Sequence, residues 1–126
     1  MAQVYHLLRN EKDSIAHFNK AISINPDNTD YCIDLSILLE ETGKYQEAVE
    51  TLKKAIRIDP EKLKLYEQLS GVLEKLERYK DAVDIYKKFK KNNPYFLDED
   101  YLCEKIDYLK RKFSSVKKYS LFNLFK

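Results

Sequence analysis

Three prolines recur at a constant interval and divide the chain into segments that resemble one another. Pro26, Pro60 and Pro94 lie 34 residues apart. An interval of this length is typical of a helix–turn–helix solenoid, in which each unit buries its apolar face only by stacking on its neighbours. The interval therefore predicts an all-α repeat array. Such arrays provide binding surfaces, and the interval itself carries no information about the partner.

Apolar and small residues fall into matching columns when the chain is aligned with itself at this interval. The best-filled columns are Tyr5, Leu39 and Leu73; Ile15, Val49 and Val83; Phe18, Leu52 and Tyr86; Ala21, Ala55 and Phe89; and Ser14, Ala48 and Ala82. Small residues let neighbouring helices approach closely, and a bulkier side chain there costs about 1–3 kcal/mol. The columns predict that successive units contribute equivalent residues to one continuous core.

Residues 29–62 show how one unit is built from two amphipathic helices. In the first, Cys32, Leu35 and Leu39 follow helical spacing, and Gly43 supplies a left-handed cap that ends it. The second ends at Asp59, because the residue before a proline is driven out of the α region. Its apolar face is formed by Tyr45, Ala48, Val49, Leu52, Ala55 and Ile56.

These columns resemble the tetratricopeptide repeat family, whose pattern places large, small and aromatic residues at fixed positions before a closing proline. The second repeat matches with Cys32, Leu35, Ser36, Leu39, Gly43, Tyr45, Ala48, Leu52, Ala55 and Pro60, and the third with Tyr66, Leu69, Ser70, Leu73, Tyr79, Ala82, Tyr86, Phe89 and Pro94. The resemblance covers about residues 1–96 and implies a right-handed α-solenoid of antiparallel helix pairs. The departures are Cys32 for an aromatic, Phe89 for an alanine, and serine for glycine.

The resemblance divides the chain into an incomplete first repeat, 1–28, a second, 29–62, and a third, 63–96. Projected back, the first repeat lacks six residues of its opening helix before Met1. We therefore expect a shortened first helix, a turn and a second helix. We also expect an open edge, which a longer array or another chain would cover.

The interval ends after Pro94, and residues 97–118 are predicted to form a closing helix. Its apolar residues, at spacings of four and three, are Leu102, Ile106, Leu109, Phe113 and Val116. Acidic residues at its start and lysines near its end suit the helix dipole. Residues 119–126 form an aromatic tail that could pack on this helix, associate with a second copy, or contact a membrane surface.

Composition excludes several classes of function. The net charge of +2 argues against general nucleic-acid binding, and no apolar run approaches the ~20 residues of a membrane span. No phosphate-binding, nucleophile or metal-ligand motif is present, so we expect no enzyme, no cofactor and no metal. The cysteines, Cys32 and Cys103, both fall at apolar positions and are expected to be buried and reduced. With no secretory signal at Met1–Asn10, a cytoplasmic location is expected.

The family resemblance implies that the first helix of each pair lines a concave groove. The side chains that we assign to this face are Asp30, Ile33, Asp34, Ile37, Glu40 and Glu41; Lys64, Glu67, Gln68, Gly71, Glu74 and Lys75; and Tyr101, Lys105 and Tyr108. Acids outnumber lysines in the two repeats, and Ile33 and Ile37 would add an apolar strip. The groove is therefore suited to a basic or amphipathic peptide. The alternative is a charged face that contacts only water.

One subclass of the family grips a peptide's terminal carboxylate with lysine, asparagine and arginine at fixed groove positions. Lys64 matches one of these lysines, but Asp34 stands in place of the asparagine and Gln68 in place of the arginine. A carboxylate at Asp34 repels a carboxylate ligand. We therefore expect no acidic-tail clamp.

The sequence thus favours a protein–protein interaction scaffold. The alternatives are a structural subunit that forms a homo-oligomer through its open N-terminal edge and aromatic tail, and a peripheral membrane adaptor that uses the basic helix and the tail.

Overall fold

The computed structural model describes the backbone of residues 2–124 and the side chains of residues 10–116. Within residues 2–124 the chain forms six helices and no strand. They are α1 (Ala2–Ile24), α2 (Thr29–Glu41), α3 (Tyr45–Ile58), α4 (Leu63–Lys75), α5 (Tyr79–Asn92) and α6 (Glu99–Leu124). Each helix packs against the next, and α2 also contacts α4. The predicted all-α solenoid is confirmed, with α2–α3 and α4–α5 as its complete pairs.

A left-handed residue ends the first helix of the second repeat, as predicted. Gly43 has a φ of 80°. Its amide donates to the carbonyl of Glu40 (3.1 Å), and the amide of Lys44 donates to that of Leu39 (2.7 Å). These two bonds are those of a Schellman motif, which satisfies the last carbonyls of α2 and reverses the chain toward α3.

The third repeat makes the same turn without a glycine. Glu77 occupies the column of Gly43 and has a φ of 58°. The amide of Arg78 donates to the carbonyl of Leu73 (2.8 Å), which repeats the Schellman bond one interval later. The packing of α5 on α4 therefore holds a side-chain-bearing residue in a conformation that normally costs about 1–2 kcal/mol.

The first repeat departs from the expectation of two helices. The backbone of α1 is a single helix over Ala2–Ile24, and no turn interrupts it. Arg9 occupies the turn column of Gly43 and Glu77, and arginine, like glutamate, is a good helix former, so the local sequence permits the helix to continue. With no glycine or proline before Pro26, nothing in this segment favours a chain reversal.

Short segments that include Pro60 and Pro94 follow the ends of α3 and α5 and connect successive parts of the array. Asp59 and Asn93 both leave the helical region, with φ of −134° and −131°. The carbonyl of Pro60 then accepts two hydrogen bonds, from the Tyr66 hydroxyl (2.8 Å) and from Nδ2 of Asn93 (3.1 Å). The loop at Pro60 is thereby held by side chains of the pair that follows it.

One continuous core runs through the stacked helices, as the columns predicted. Its largest fully buried side chains are Tyr66, Phe89, Leu52, Leu65, Leu69, Leu73, Leu102 and Leu109. Phe89, which replaces the expected alanine, packs edge-on against Tyr66 and against Phe96, with centroid distances of 5.0 and 5.1 Å. The bulkier residue is accommodated because the loop after α5 supplies Phe96 as a cover.

The two cysteines differ from each other. Cys32 is buried, as expected, but Cys103 is exposed, so the prediction that both are buried was wrong. Leu102 and Leu109 of α6 point into the core. Cys103 follows Leu102 by one residue, which turns its side chain about 100° away from that face.

The closing helix begins at Glu99, inside the range 97–118 assigned from the sequence, and extends farther than the repeats that it covers. Oδ1 of Asp98 accepts a hydrogen bond from the amide of Tyr101 (3.1 Å), which is an N-cap. α6 has 26 residues against 14 in α5, or about 39 Å against about 21 Å. Phe113 and Val116, predicted to cover the core, are therefore partly exposed. The backbone shows no boundary at Lys118, and the side chains of the predicted tail, 119–126, lie outside the described residues.

Candidate functional site

Three helices share one face of the array. α2 contacts α4 directly. α6 is joined to α4 by a hydrogen bond of 2.7 Å, in which the hydroxyl of Tyr108 donates to Oε1 of Glu74. The face assigned from the sequence is therefore a surface built from the first helices of the second and third repeats and the closing helix.

Two acids of this face are paired with cations of the same chain. Nζ of Lys62 lies 2.5 Å from Oδ1 of Asp30 and holds the pKa of that carboxyl below its usual range. Glu40 accepts a hydrogen bond from Nε2 of Gln68 (3.1 Å) and pairs with Lys75 at 2.5 Å. These contacts hold α2 against α4, so part of the acidic character that the sequence predicts is neutralised within the chain.

Other predicted acids remain directed to solvent. Asp34, Glu41 and Glu67 are exposed, and among the side chains described none of the three forms an ion pair. Ile37 is 39% exposed, and Lys64 is also exposed. The surface between α2 and α4 thus combines unneutralised carboxylates with one apolar side chain.

The apolar strip was predicted to consist of Ile33 and Ile37, and the prediction is wrong for Ile33, which is only 3% exposed and belongs to the core. α2 packs against α1, α3 and α4, and it therefore buries two rows of side chains instead of one. Thr29, Ile33 and Ser36 form the second row at helical spacing, and the Ser36 hydroxyl donates to the carbonyl of Ile33 (2.6 Å). The strip on the surface reduces to Ile37.

A small cleft lies where α4 faces α6. It has a volume of about 180 Å³ and is lined by Glu67, Ser70, Gly71, Glu74, Tyr86, Tyr101, Lys105, Tyr108 and Leu109. No heavy atom outside its own helix lies within 4 Å of the position that a Cβ of Gly71 would take, so the cleft reaches the backbone of α4. Six residues assigned to the groove from the sequence meet in this cleft: Glu67, Gly71, Glu74, Tyr101, Lys105 and Tyr108.

The cleft has a negative electrostatic environment. Burial raises the pKa of Tyr86 to about 12, and the charges of Glu67 and Glu74 add to this effect. Burial and then the charge of Glu67 raise the pKa of Tyr101, while the hydrogen bond to Glu74 raises that of Tyr108. All three hydroxyls therefore remain protonated at neutral pH.

Lysines of α6 already lie over tyrosine rings at this face. Nζ of Lys105 is 5.7 Å from the ring centroid of Tyr101, and Nζ of Lys112 is 5.5 Å from that of Tyr108. Contacts of this kind attract a cation to an aromatic face. Of the two lysines, Lys105 also lines the cleft.

Sequence reasoning missed the deeper wall of the cleft. Tyr86 was assigned to a core column, and it is indeed only 3% exposed. The signal that could have found it is the column itself, because Phe18 and Leu52 carry no polar atom where Tyr86 carries a hydroxyl. Ser70 and Leu109, assigned to packing positions, also contribute to this wall.

The described residues offer little for other kinds of site. A larger depression of about 780 Å³ is lined by α6 alone, between Glu104 and Arg111, and has no opposing wall. Within the described part of the chain, no three histidine, cysteine or acidic residues are placed to hold a metal ion. None of the helices described is both long and apolar enough to cross a bilayer.

Comparison with known proteins decides the family. Residues 9–70 match a family model described as a tetratricopeptide repeat. The chain is a tetratricopeptide repeat protein. No curated protein sequence gives a significant match.

Solved structures of other tetratricopeptide repeat domains share the fold of this tetratricopeptide repeat protein. The domain of Sgt2 from Aspergillus fumigatus is 20% identical, with a TM-score of 0.67 over 92% of this chain and 76% of that one. The TPR2B domain of yeast Sti1, in complex with pHsp70, is 17% identical, with a TM-score of 0.65 over 90% of each chain. The OM64 domain from Arabidopsis is 20% identical, with a TM-score of 0.61 over 86% and 88%. At these identities the likeness shows the fold alone.

Proposed function

We propose that this protein is a scaffold that binds a basic or amphipathic segment of a partner protein along α2, α4 and α6. The observation that carries the proposal is the set of exposed, unneutralised carboxylates at Asp34, Glu41 and Glu67, with Ile37 exposed between them. Tetratricopeptide repeat arrays are generally non-catalytic interaction scaffolds, which is consistent with this surface. The proposed location is the cytoplasm, because Cys32 and Cys103 are free thiols, which a reducing compartment preserves.

The chemistry of the groove favours a cationic ligand. Lysine or arginine side chains of the segment pair with the carboxylates, and an apolar residue of the segment contacts Ile37. Rim charges of this kind contribute more to association rate and specificity than to affinity, while apolar contacts slow dissociation. Sti1, whose domain shares the fold, is in complex with pHsp70, which supports a protein or peptide as the class of partner.

A pair of labelled peptides tests the proposal. One is an amphipathic peptide that carries lysine on one face of a helix and leucine on the other. The second peptide carries glutamate in place of lysine. Fluorescence anisotropy with the full chain is expected to show saturable binding of the lysine peptide and none of the glutamate peptide. Asp34→Lys combined with Glu67→Lys is expected to abolish binding, because it reverses two charges of the groove.

A matched variant controls for net charge. Glu50→Lys with Asp84→Lys makes the same change in net charge on exposed residues of α3 and α5, the second helices of the pairs. This variant is expected to retain binding. An equal loss of peptide affinity in both double variants would show that the interaction is non-specific electrostatic attraction. Unchanged affinity in the groove variant would refute the proposed site.

A second candidate function, self-association, is favoured by the face of α1. Phe18 and Ala21 are partly exposed, whereas Leu52 and Ala55, one interval later, are 0% exposed. α3, which carries those equivalents, packs against both α2 and α4, whereas among the described helices α1 packs against α2 alone. Sedimentation equilibrium tests this function. A dimer disrupted by Ala21→Glu but not by Ala16→Glu, on an exposed position of the same helix, supports it, and a monomeric wild type contradicts it.

A further inference from the structure

The cleft between α4 and α6 has room for one side chain. Its volume of about 180 Å³ exceeds the ~150 Å³ of an engineered apolar cavity that takes benzene. Gly71 leaves one wall without a side chain, and no atom outside α4 lies within 4 Å of the space that a Cβ there would fill. A group as long as a lysine or arginine side chain can therefore reach the backbone of α4 between the two helices.

The walls combine two features that recognise organic cations. Glu67 and Glu74 contribute carboxylates, and Tyr101 and Tyr108 contribute aromatic faces. Aromatic faces attract cations, and carboxylates form charge-assisted hydrogen bonds with them. A guanidinium group satisfies both at once, because it is planar, stacks on aromatic rings and pairs with a carboxylate through two N–H groups.

A cation of the protein itself already lies at this cleft. Lys105 lines it, and its ammonium group is 5.7 Å from the ring centroid of Tyr101. With two carboxylates and one ammonium group, the walls retain a net negative charge. The contact of Lys105 thus shows the kind of group that the cleft attracts and leaves charge for a second one.

We propose that this cleft is a subsite for a single cationic side chain of the bound segment, with arginine the better fit, and that Lys105 competes with that side chain for Tyr101. The inference rests on the proposed function, since it specifies one anchor of the segment that the groove binds. Displacing the ammonium group of Lys105 from Tyr101 makes room for the guanidinium group between the ring and Glu67.

The two glycines of the chain give a direct readout in ¹H–¹⁵N NMR of the full chain. Gly71 lies in the cleft, and Gly43 lies in the turn between α2 and α3. Titration with N-acetyl-arginine amide is expected to shift the Gly71 amide saturably and to leave Gly43 unmoved. The N-acetyl-citrulline amide has nearly the same shape without the charge and is expected to shift neither. N-acetyl-lysine amide is expected to bind more weakly than the arginine compound.

Isosteric variants separate charge from shape. Glu67→Gln with Glu74→Gln is expected to weaken binding of the arginine amide by about tenfold or more, which corresponds to the loss of charge-assisted hydrogen bonds. Lys105→Met is expected to tighten it about threefold or more, because a competing cation–π contact is removed. Lys110→Met removes an exposed lysine of α6 that neither lines the cleft nor lies over either tyrosine ring, and it is expected to change nothing.

Equal shifts with arginine and citrulline amides, or no shift at Gly71, would overturn the subsite. The experiments distinguish rejection of the subsite from rejection of the proposed scaffold function. If the lysine–leucine peptide binds and responds to the groove double variant, but Glu67→Gln with Glu74→Gln leaves its affinity unchanged, the scaffold stands and the subsite is rejected. If no basic peptide binds the wild-type chain, the scaffold is rejected as well.

Discussion

Gly43 and Glu77 are one repeat apart and share the same left-handed backbone conformation, with φ of 80° and 58°. At Gly43 this conformation is free of strain, whereas a residue with a Cβ is strained there by about 1–2 kcal/mol. Glu77→Gly is therefore expected to raise the free energy of unfolding by about 1 kcal/mol, and Gly43→Ala to lower it by about the same amount. Urea denaturation measures both. A Glu77→Gly variant less stable than wild type would contradict this account of the turn.

The two glycines are expected to respond in opposite directions to the same substitution. Gly71 lies within α4, and nothing outside that helix comes within 4 Å of a Cβ built there. Gly71→Ala should therefore raise the free energy of unfolding by about 1 kcal/mol through helix propensity alone. It also narrows the cleft, so weaker binding of N-acetyl-arginine amide should accompany the gain in stability. Lower stability would show that the space beside Gly71 is filled.

The carbonyl of Pro60 accepts hydrogen bonds from both Tyr66 and Asn93. Tyr66→Phe leaves the carbonyl with one donor and is expected to cost about 1 kcal/mol. Tyr66→Phe combined with Asn93→Ala leaves it with neither, so the double variant should lose more than the sum of the single losses. Denaturation of the four chains in a double-mutant cycle measures the difference. Strict additivity would mean that the two bonds act independently.

The raised pKa of Tyr86 is expected to lower the free energy of unfolding at high pH. An unperturbed tyrosine has a pKa of 10.0, and burial raises the pKa of Tyr86 to about 12. Between these values the unfolded chain has released a proton that the folded chain retains, so the free energy of unfolding falls as the pH rises. Below pH 10 the contribution is fully present. Tyr86→Phe should therefore show a smaller decrease than wild type between pH 10 and about pH 12, in urea midpoints compared at each pH. An identical decrease in both would contradict the assignment.

The architecture was predictable because its determinants are local and recur. Leu39 and Leu73, or Ala48 and Ala82, fill equivalent sites, and Asp59 ends a helix for a reason contained in the next residue, Pro60. The helix pairs follow from such neighbours without knowledge of the rest of the chain.

Features that depend on how helices pack together were not predictable in this way. Ile33 is buried because α4 joins α1 and α3 around α2. The exposure of Cys103, in contrast, follows from the sequence, since this residue comes one position after Leu102 of the apolar row of α6. The cleft was predicted only as scattered residues, since Tyr86 and Tyr108 approach Glu74 through the packing of three helices. The prediction of a turn between two helices in the first repeat was also wrong. Arg9 prolongs α1, whereas Glu77 in the same column ends α4, and only the tertiary contacts distinguish the two.

The most direct test of the binding surface uses two isoleucines that are exposed on different helices. Ile37 lies on α2 and is 39% exposed, and Ile58 ends α3 and is 45% exposed. Methyl NMR of the isoleucine-labelled chain, titrated with the lysine–leucine peptide, is predicted to shift Ile37 saturably and to leave Ile58 in place. A shift of Ile58 without a shift of Ile37 would contradict the central claim that α2, α4 and α6 form the binding surface.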